Sequence, residues 1–285
     1  MIFRSALNVS SSVSLARPPW WEAIAVTLII SGVAIAWIVS LGGLALSWDS
    51  LNHHFYLGWM AVEGNRLAHD TFAAGSMSCQ YPYAYAMLYQ LQLSGATGTQ
   101  AAIALAVPAF AAIPAVWLIA WTFLPSKGAT PLLQRASWVV LGFASPLWWS
   151  LLDTTSNDLV ATLPIAWAFA LIGWRGACQL TPDAVISRRS VCLLGWYVLA
   201  GALTALALMI KVSSVFAAIG IGALLVGSAR DVRSAVMQLV ALCGGGVAIA
   251  LLVWWPWARG VWVTCGSPFY PMLADMLRPL TGVLP

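Results

Sequence analysis

Residues 22–46, EAIAVTLIISGVAIAWIVSLGGLAL, hold a single charged side chain, Glu22, in an otherwise apolar run. A helix rising 1.5 Å per residue crosses ~30 Å of hydrocarbon in about 20 residues, so this stretch has the length and composition of a membrane span. It is too long for the apolar core of a cleavable secretory signal and shows no small-x-small cleavage site, so it reads as a retained span. Working outward, six more apolar runs follow at 98–123, 136–152, 158–174, 191–210, 212–228 and 234–255, which makes seven candidate spans. The whole chain agrees: 61% of residues are hydrophobic, 8% are charged, and the mean hydropathy is +0.86. Soluble domains carry about a quarter charged residues. With 8% charge a 285-residue chain cannot cover a water-facing surface, and the bilayer is its main solvent. No run alternates like a barrel strand, and backbone groups in lipid must be satisfied internally, so the spans are helices. The expectation is an all-α, polytopic membrane bundle forming one domain over 1–285, without internal repeats.

Lys and Arg set the orientation. With the N-terminus cytoplasmic, Arg4, Arg17, Lys127, Arg135, Arg175, Arg188, Arg189, Arg230 and Arg233 lie inside, nine of the 13 basic residues. Arg66, Lys211, Arg259 and Arg278 fall outside. The net charge of +4 therefore reports topology; basic residues spread between apolar segments do not make a nucleic-acid surface. Many of the 17 Trp, such as Trp20, Trp21, Trp48, Trp148, Trp149, Trp254 and Trp255, flank the apolar runs, where an interfacial ring is wet at one end only.

Polarity on the outer side concentrates in the first outer loop, 47–97, and in an expected tail, 256–285. The loop begins WDSLNHHFYLGWMAVEGNRLAHD from Trp48. Leu51, Phe55, Trp59 and Val62 recur at helical spacing, and Asp49, His53, Tyr56 and Glu63 occupy roughly the opposite side. Such a helix is expected to lie in the interface, its apolar side in lipid or against the bundle. The run Tyr81–Gln92 is either a second interfacial helix or the start of the next span. The five Cys have no CxxC or metal-ligand spacing. Cys192 and Cys243 read as small apolar residues of helices, whereas Cys79 and Cys265 both fall outside, where a disulfide between them is open.

Four outer features carry chemistry. They are Trp48-Asp49-Ser50 with Asn52-His53-His54; Asn157-Asp158, opening the fourth span; Lys211 with Ser213 and Ser214 in a tight turn; and Arg259 with Gly266-Ser267-Pro268-Phe269-Tyr270-Pro271. Each has a plain structural alternative. Asp49 and Asp158 fit helix N-caps, Lys211 and Arg259 fit interfacial snorkelling, and the Gly-Ser-Pro-Phe-Tyr-Pro run fits a turn that shapes its surroundings.

A span, then W-D-S-L-N-H-H-F-Y, an amphipathic stretch ending G-N-R-L-A-H-D, and Tyr81-Pro82-Tyr83 together resemble the first outer loop of GT-C-type glycosyltransferases. Gly266–Pro271 is similar to the G-N-P-[FL]-[FY]-P pattern of bacterial members, with Ser267 in the place of Asn. Likewise His53 stands where their D-x-x-N-Y-H-x-Y pattern has Tyr. The resemblance implies an inverting enzyme in a bacterial inner membrane, N-terminus cytoplasmic and C-terminus periplasmic. It implies a polyprenyl-phosphate sugar donor held in membrane lipid. Asp49 matches the general base that takes the acceptor's proton. Lys211, Arg259, His53 and His54 are candidates to bind the donor phosphate. Asp158 and Asp70 are candidates to position the acceptor or hold a divalent cation, Mg²⁺ or Mn²⁺.

GT-C enzymes generally continue with further helices after this last motif, whereas the sequence stops at Pro285. A partial chain, a compact enzyme and a non-catalytic GT-C-derived subunit of a membrane protein complex are the alternatives. A transporter or proton pump is disfavoured, because the acids lie at span ends and not near the midplane. A retinal protein, which needs a Lys within its last helix, is disfavoured too, because 234–255 contains none; Asp158 or Lys211 deep in the bundle would favour either reading.

Overall fold

The computed structural model describes residues 18–64, 75–124, 127–179, 189–229 and 231–271. Among them every regular element is helical. Helix α1 is Trp20–Ser40; a π-helical turn, Ser50–His54, runs directly into α2, Phe55–Glu63. Two 3₁₀ turns, Gly75–Cys79 and Pro82–Tyr85, lead into α3, Ala86–Leu93. Then come α4 (Gly98–Phe123), α5 (Ala129–Phe143), α6 (Pro146–Leu151), α7 (Asp158–Gln179) and α8 (Arg189–Ile210). A 3₁₀ turn, Val212–Ser214, joins α8 to α9, Val215–Ser228. Helix α10, Val232–Ile249, passes through a second π turn, Ala250–Trp254, into α11, Trp255–Cys265.

Three of these stretches are long and apolar enough to cross a membrane: Trp20–Ser40, Gly98–Phe123 and the 34-residue run Val232–Cys265. Asp158–Trp174, Leu194–Ile210 and Val212–Ser228 are shorter apolar helices. The molecule is a helical membrane protein by these features, with three differences from the expected spans. Helix α1 stops at Ser40, short of the expected 46. The run 136–152 is not one helix. Ser145 is extended (ψ 127°) ahead of Pro146, because the pyrrolidine ring clashes with a helical predecessor, and the chain breaks there into α5 and α6. At the other end, the helix does not stop near 255. It continues to Cys265, so the first ten residues of the expected tail belong to the last long helix. Pro256 lies in the first turn of α11, where the wider π turn before it relieves the clash a proline makes with the preceding helical turn.

Local signals explain the helix starts. Thr97 and Gln100 form a reciprocal capping box on α4, with Thr97 N–H donating to Gln100 Oε1 at 2.9 Å and Gln100 N–H to Thr97 Oγ1 at 3.3 Å. Asp231 caps α10 through the amide of Ser234 at 2.7 Å. Gly64 ends α2 in the left-handed conformation (φ 66°) that a Cβ disfavours.

Packing follows the sequence order α1–α4–α7–α8–α10, with α9 against α7. Lipid tails are as apolar as leucine, so helices in a bilayer associate through close van der Waals approach, and small residues permit it. The face of α4 toward its neighbours is an alanine stripe, Ala102, Ala106, Ala109, Ala112 and Ala115, all fully buried. Where α8 meets α10, Gly201 lies on the backbone of Leu242 and Gly245 on the backbone of Val198; a Cβ on either would fall within 2 Å of a carbonyl oxygen.

The opposite end of the bundle from the outer loop holds a buried ion pair. Arg135 Nε and Nη2 donate to the Glu22 carboxylate at 2.7–3.0 Å, Nη1 donates to Leu124 O at 2.7 Å, and the guanidinium lies 4.6 Å from the Trp121 ring centroid. Arg135 is thus not a free loop charge: it is fully buried in α5 and neutralised by Glu22. Its weight as a topology signal falls accordingly, and Lys127 and Arg233 are the other basic residues expected on the inner side whose side chains are described.

Candidate functional site

The Ser50–Glu63 stretch of the first loop packs on the turn Pro82–Tyr85 and on α3, and through Met60 on Val261 of α11. The buried face of the Ser50–Glu63 stretch is Ser50, His53, His54, Leu57, Gly58 and Met60, while Leu51 on the expected apolar stripe is 68% exposed. Phe55, Trp59 and Val62 of that stripe are half-buried, with Trp59 against the Met60–Cys79–Val261 cluster, and the histidines face inward. Gly58 is required here: a Cβ would lie 2.6 Å from Tyr85 O, so only glycine lets α2 meet the 3₁₀ turn before α3 this closely. The Tyr81–Gln92 run forms that turn and the separate short helix α3, not the beginning of α4.

Beneath this loop lies a cavity of about 840 Å³. Its lining includes the polar side chains of Asp49, His53, His54, Asn157, Asp158 and Lys211. It also includes apolar and aromatic ones, Leu208, Met209 and Ile210 from the end of α8, Val215 from α9, and Trp254 and Trp257 from the last long helix. Both π turns contribute, the first through His53 and His54 and the second through Ala250 and Trp254. Such turns rotate side chains out of helical register and are frequent at functional sites. Pro268, Phe269, Tyr270 and Pro271 close one side, so the Gly-Ser-Pro-Phe-Tyr-Pro turn does shape the cavity. Cys79, on the cavity wall, is disulfide-paired with Cys265, and this ties the loop to the end of α11 across 186 residues of sequence.

Five of the seven singled-out residues meet here: Asp49, His53, His54, Asp158 and Lys211. Arg259 does not; it is exposed on α11, away from the lining. Asp70 lies outside the described residues. Neither lining carboxylate is a helix cap. Asp49 makes no capping hydrogen bond, since Ser47 and Ser50 cap that turn reciprocally. Asp158 Oδ1 accepts from Lys211 Nζ, and its other oxygen accepts from Ser156 Oγ. The pair is one-third exposed on each side (33% and 37%), which keeps it at the span ends and not deep in the bundle.

Asp49 has no cationic partner among the described residues. Its nearest ionisable neighbour is His53, whose Nδ1 is 3.9 Å from Oδ1. That nitrogen is buried and makes no hydrogen bond. Burial lowers the pKa of His53, partly offset by Asp49. His54 is lowered further, to about 4, by burial first and then by His53, with Asp49 opposing and Lys211 adding to the shift. Both imidazoles are neutral at pH 7. His54 stacks on Tyr85 at 4.5 Å and 20°, and burial, with Asp158 and Asp49 nearby, raises the Tyr85 phenol well above its usual range.

The sequence did not single out the residues that hold His54. Thr155 Oγ1 is 2.6 Å from His54 Nδ1 and 2.6 Å from Ser50 Oγ, and all three side chains are buried. The available signal is the polar run Asp153–Asp158 between two apolar segments, six residues without an apolar side chain in a chain that is 61% hydrophobic. A divalent cation finds no ready donor set. Among the described residues no three His, Cys, Asp or Glu side chains converge, and Asp158 is engaged by Lys211 and Ser156. Comparison with known proteins finds no matching family, no matching curated protein and no matching solved structure.

Proposed function

We propose that this chain is a GT-C-type membrane glycosyltransferase that transfers a sugar from a polyprenyl-phosphate donor at the non-cytoplasmic face. The reading includes seven membrane crossings, the broken 129–151 segment and the shorter apolar helices among them, in a bacterial inner membrane with the N-terminus inside. The observation that carries it is the mixed lining of the cavity, which combines a carboxylate without a cationic partner and other polar side chains with apolar and aromatic ones. A lipid-linked polar ligand suits such a lining, because its chain is buried against the apolar side chains while its headgroup meets Asp49, Asn157 and Lys211.

In the reaction, an acceptor hydroxyl attacks the anomeric carbon of the donor. Asp49 takes the hydroxyl proton as the new carbon–oxygen bond forms and the bond to the phosphate oxygen breaks. The departing phosphate carries the charge, and Lys211 stabilises it while Asp158 orients the ammonium. Asp49 suits the base because it lines the cavity, is solvent-accessible and has no cationic partner among the described residues, whereas Asp158 is already neutralised. No step is assigned to a divalent cation.

A second reading rests on a separate observation. In the long helix Val232–Cys265 only 11% of the most apolar 18-residue window is buried within the chain. A GT-C-derived, non-catalytic subunit would use such a face against another membrane protein. One experiment separates the two. The purified full chain in lipid nanodiscs is given polyprenyl-phosphate sugars and turnover is followed. Turnover that disappears in Asp49→Ala supports the enzyme. If no donor binds at all, the enzymatic reading is lost, and the subunit reading then expects Asp49→Asn to leave function intact while changes on the 232–265 face disrupt assembly.

A further inference from the structure

Four side chains make a continuous hydrogen-bonded chain from Ser47, an exposed residue of the cavity lining, to His54, a buried one. Ser47 Oγ is 3.0 Å from Ser50 Oγ, which is 2.6 Å from Thr155 Oγ1, which is 2.6 Å from His54 Nδ1. The three inner members are at least nine-tenths buried. The remaining ring nitrogen of His54, Nε2, has no protein partner among the described residues, and His54 lines the cavity.

The hydrogens of this chain can be placed in two ways, and every group is satisfied in both. In the first, Ser47 O–H donates to Ser50, Ser50 O–H to Thr155, and Thr155 O–H to His54 Nδ1, so His54 carries its proton on Nε2. In the second, all directions reverse and His54 carries its proton on Nδ1. Ser50 Oγ also accepts from Ser47 N–H, and Ser47 Oγ from Ser50 N–H, so neither hydroxyl loses an acceptor or donor role when the chain reverses. A hydroxyl chain with two complete hydrogen arrangements is the requirement for stepwise proton passage.

We propose that Ser47, Ser50, Thr155 and His54 form a proton relay that carries a proton from the solvent-exposed Ser47 hydroxyl to the buried His54 imidazole, which hands it into the cavity. His54 is the catalytic residue of the relay and the three hydroxyls are positioning and conducting residues. The proposal rests on the transfer reaction above, for which it supplies the acid complementary to Asp49. As the bond to the leaving phosphate breaks, His54 Nε2–H passes to the leaving oxygen. Nδ1 takes the proton of Thr155, Thr155 takes that of Ser50, Ser50 takes that of Ser47, and Ser47 takes one from solvent. One proton enters and one leaves, and the imidazole is never charged. This suits a ring whose burial disfavours the imidazolium, since neither imidazolium nor imidazolate has to form. The reverse shift resets the chain.

The test needs no identified acceptor. The full chain has three His, so ¹⁵N-histidine labelling in nanodiscs gives three imidazoles, and His54→Gln assigns one of them. The relay requires His54 to show both neutral tautomers in exchange at pH 7. Thr155→Val, which keeps the shape and removes the hydroxyl, must leave a single tautomer, and Thr155→Ser must restore exchange. In turnover of polyprenyl-phosphate sugar, Thr155→Val lowers kcat by roughly 10²-fold and Thr155→Ser recovers it. A single fixed tautomer in the unmodified protein, or exchange indifferent to Thr155→Val, overturns the relay whatever the turnover. Exchange without any binding of polyprenyl-phosphate sugar overturns the glycosyl-transfer reading and leaves the proton path standing.

Discussion

Lys211 and Asp158 form an ion pair across the ends of two helices, joining the turn after α8 to the first residue of α7. The partners are 53 residues apart in sequence, and Asn157 Nδ2 reinforces the junction by donating to Ile210 O at 2.8 Å. The pair thus has two separable roles, holding α7 to α8 and presenting a cation to the cavity.

Exchanging the two charges separates those roles. Pairs this exposed contribute roughly 0.2–1 kcal/mol. Lys211→Met should lower the thermal midpoint in detergent by a few degrees, and the double exchange Lys211→Asp with Asp158→Lys should recover most of it. Donor binding should not recover, because the cation then sits on α7. Full recovery of binding in the exchanged protein would mean that the position of the charge is immaterial and would remove Lys211 from the phosphate site.

The Glu22–Arg135 pair behaves differently because both side chains are almost wholly buried. Glu22→Gln leaves a guanidinium without its counter-charge, and breaking a buried pair on one side costs about 3–5 kcal/mol. Replacing both, as in Glu22→Leu with Arg135→Met, removes the uncompensated charge together with its partner and should cost much less. Equilibrium unfolding in mixed micelles checks the order. Equal losses in the single and double variants would show that the pair is not the source of the stability.

Much of this architecture is legible in the sequence. The apolar runs near 22–46, 98–123, 158–174, 191–210 and 212–228 correspond to observed helices, because the demand for internal backbone hydrogen bonding in lipid leaves little else. The break at Pro146 is legible in principle, since proline excludes a helical predecessor, but the apolar composition of 136–152 masks it. The π turns are not legible, because their side chains differ in no way from those of an ordinary helix. The candidate site was visible as residue types and not as geometry. Asp49, His53, His54, Asp158 and Lys211 stand out as polar residues at span ends, whereas Thr155 and Ser50 are small hydroxyls whose importance appears only when 100 residues of chain are folded back. Cys79 and Cys265 were marked by their shared side, and their pairing needed the continuation of the last helix to Cys265.

The contact between α8 and α10 supports a sharper prediction. Gly245→Ala adds a Cβ that would lie 1.9 Å from Val198 O, and Gly201→Ala one at 1.8 Å from Leu242 O. The obstacle in each case is backbone, so the helices must separate. Each variant should lose at least about 1–3 kcal/mol, the usual cost of overpacking. Gly244→Ala, with open space around the added methyl, should be neutral or slightly stabilising through helix propensity. Thermal unfolding of the three variants checks this, and equal behaviour of Gly244→Ala and Gly245→Ala would contradict the close approach.

The buried histidines give the protein an acid-sensitive term outside its spans. His54 takes up a proton near pH 6.5 when unfolded and only near pH 4 when folded. Below pH 6.5 the unfolded chain therefore binds more protons than the folded one, and stability falls as pH is lowered through this window, levelling off beneath about pH 4. His53 acts in the same direction. Above pH 6.5 neither histidine contributes a slope. Thermal midpoints of the full chain measured from pH 7.5 to pH 4.5 should decline over the lower part of that range. His54→Gln, which keeps a hydrogen-bonding group near Thr155 but cannot titrate, should flatten the decline while leaving the plateau above pH 7 nearly where it was. An unchanged decline in His54→Gln would assign the acid sensitivity to carboxylates instead, and would mean that the imidazole beside Thr155 is far less disfavoured in its charged form than its burial implies.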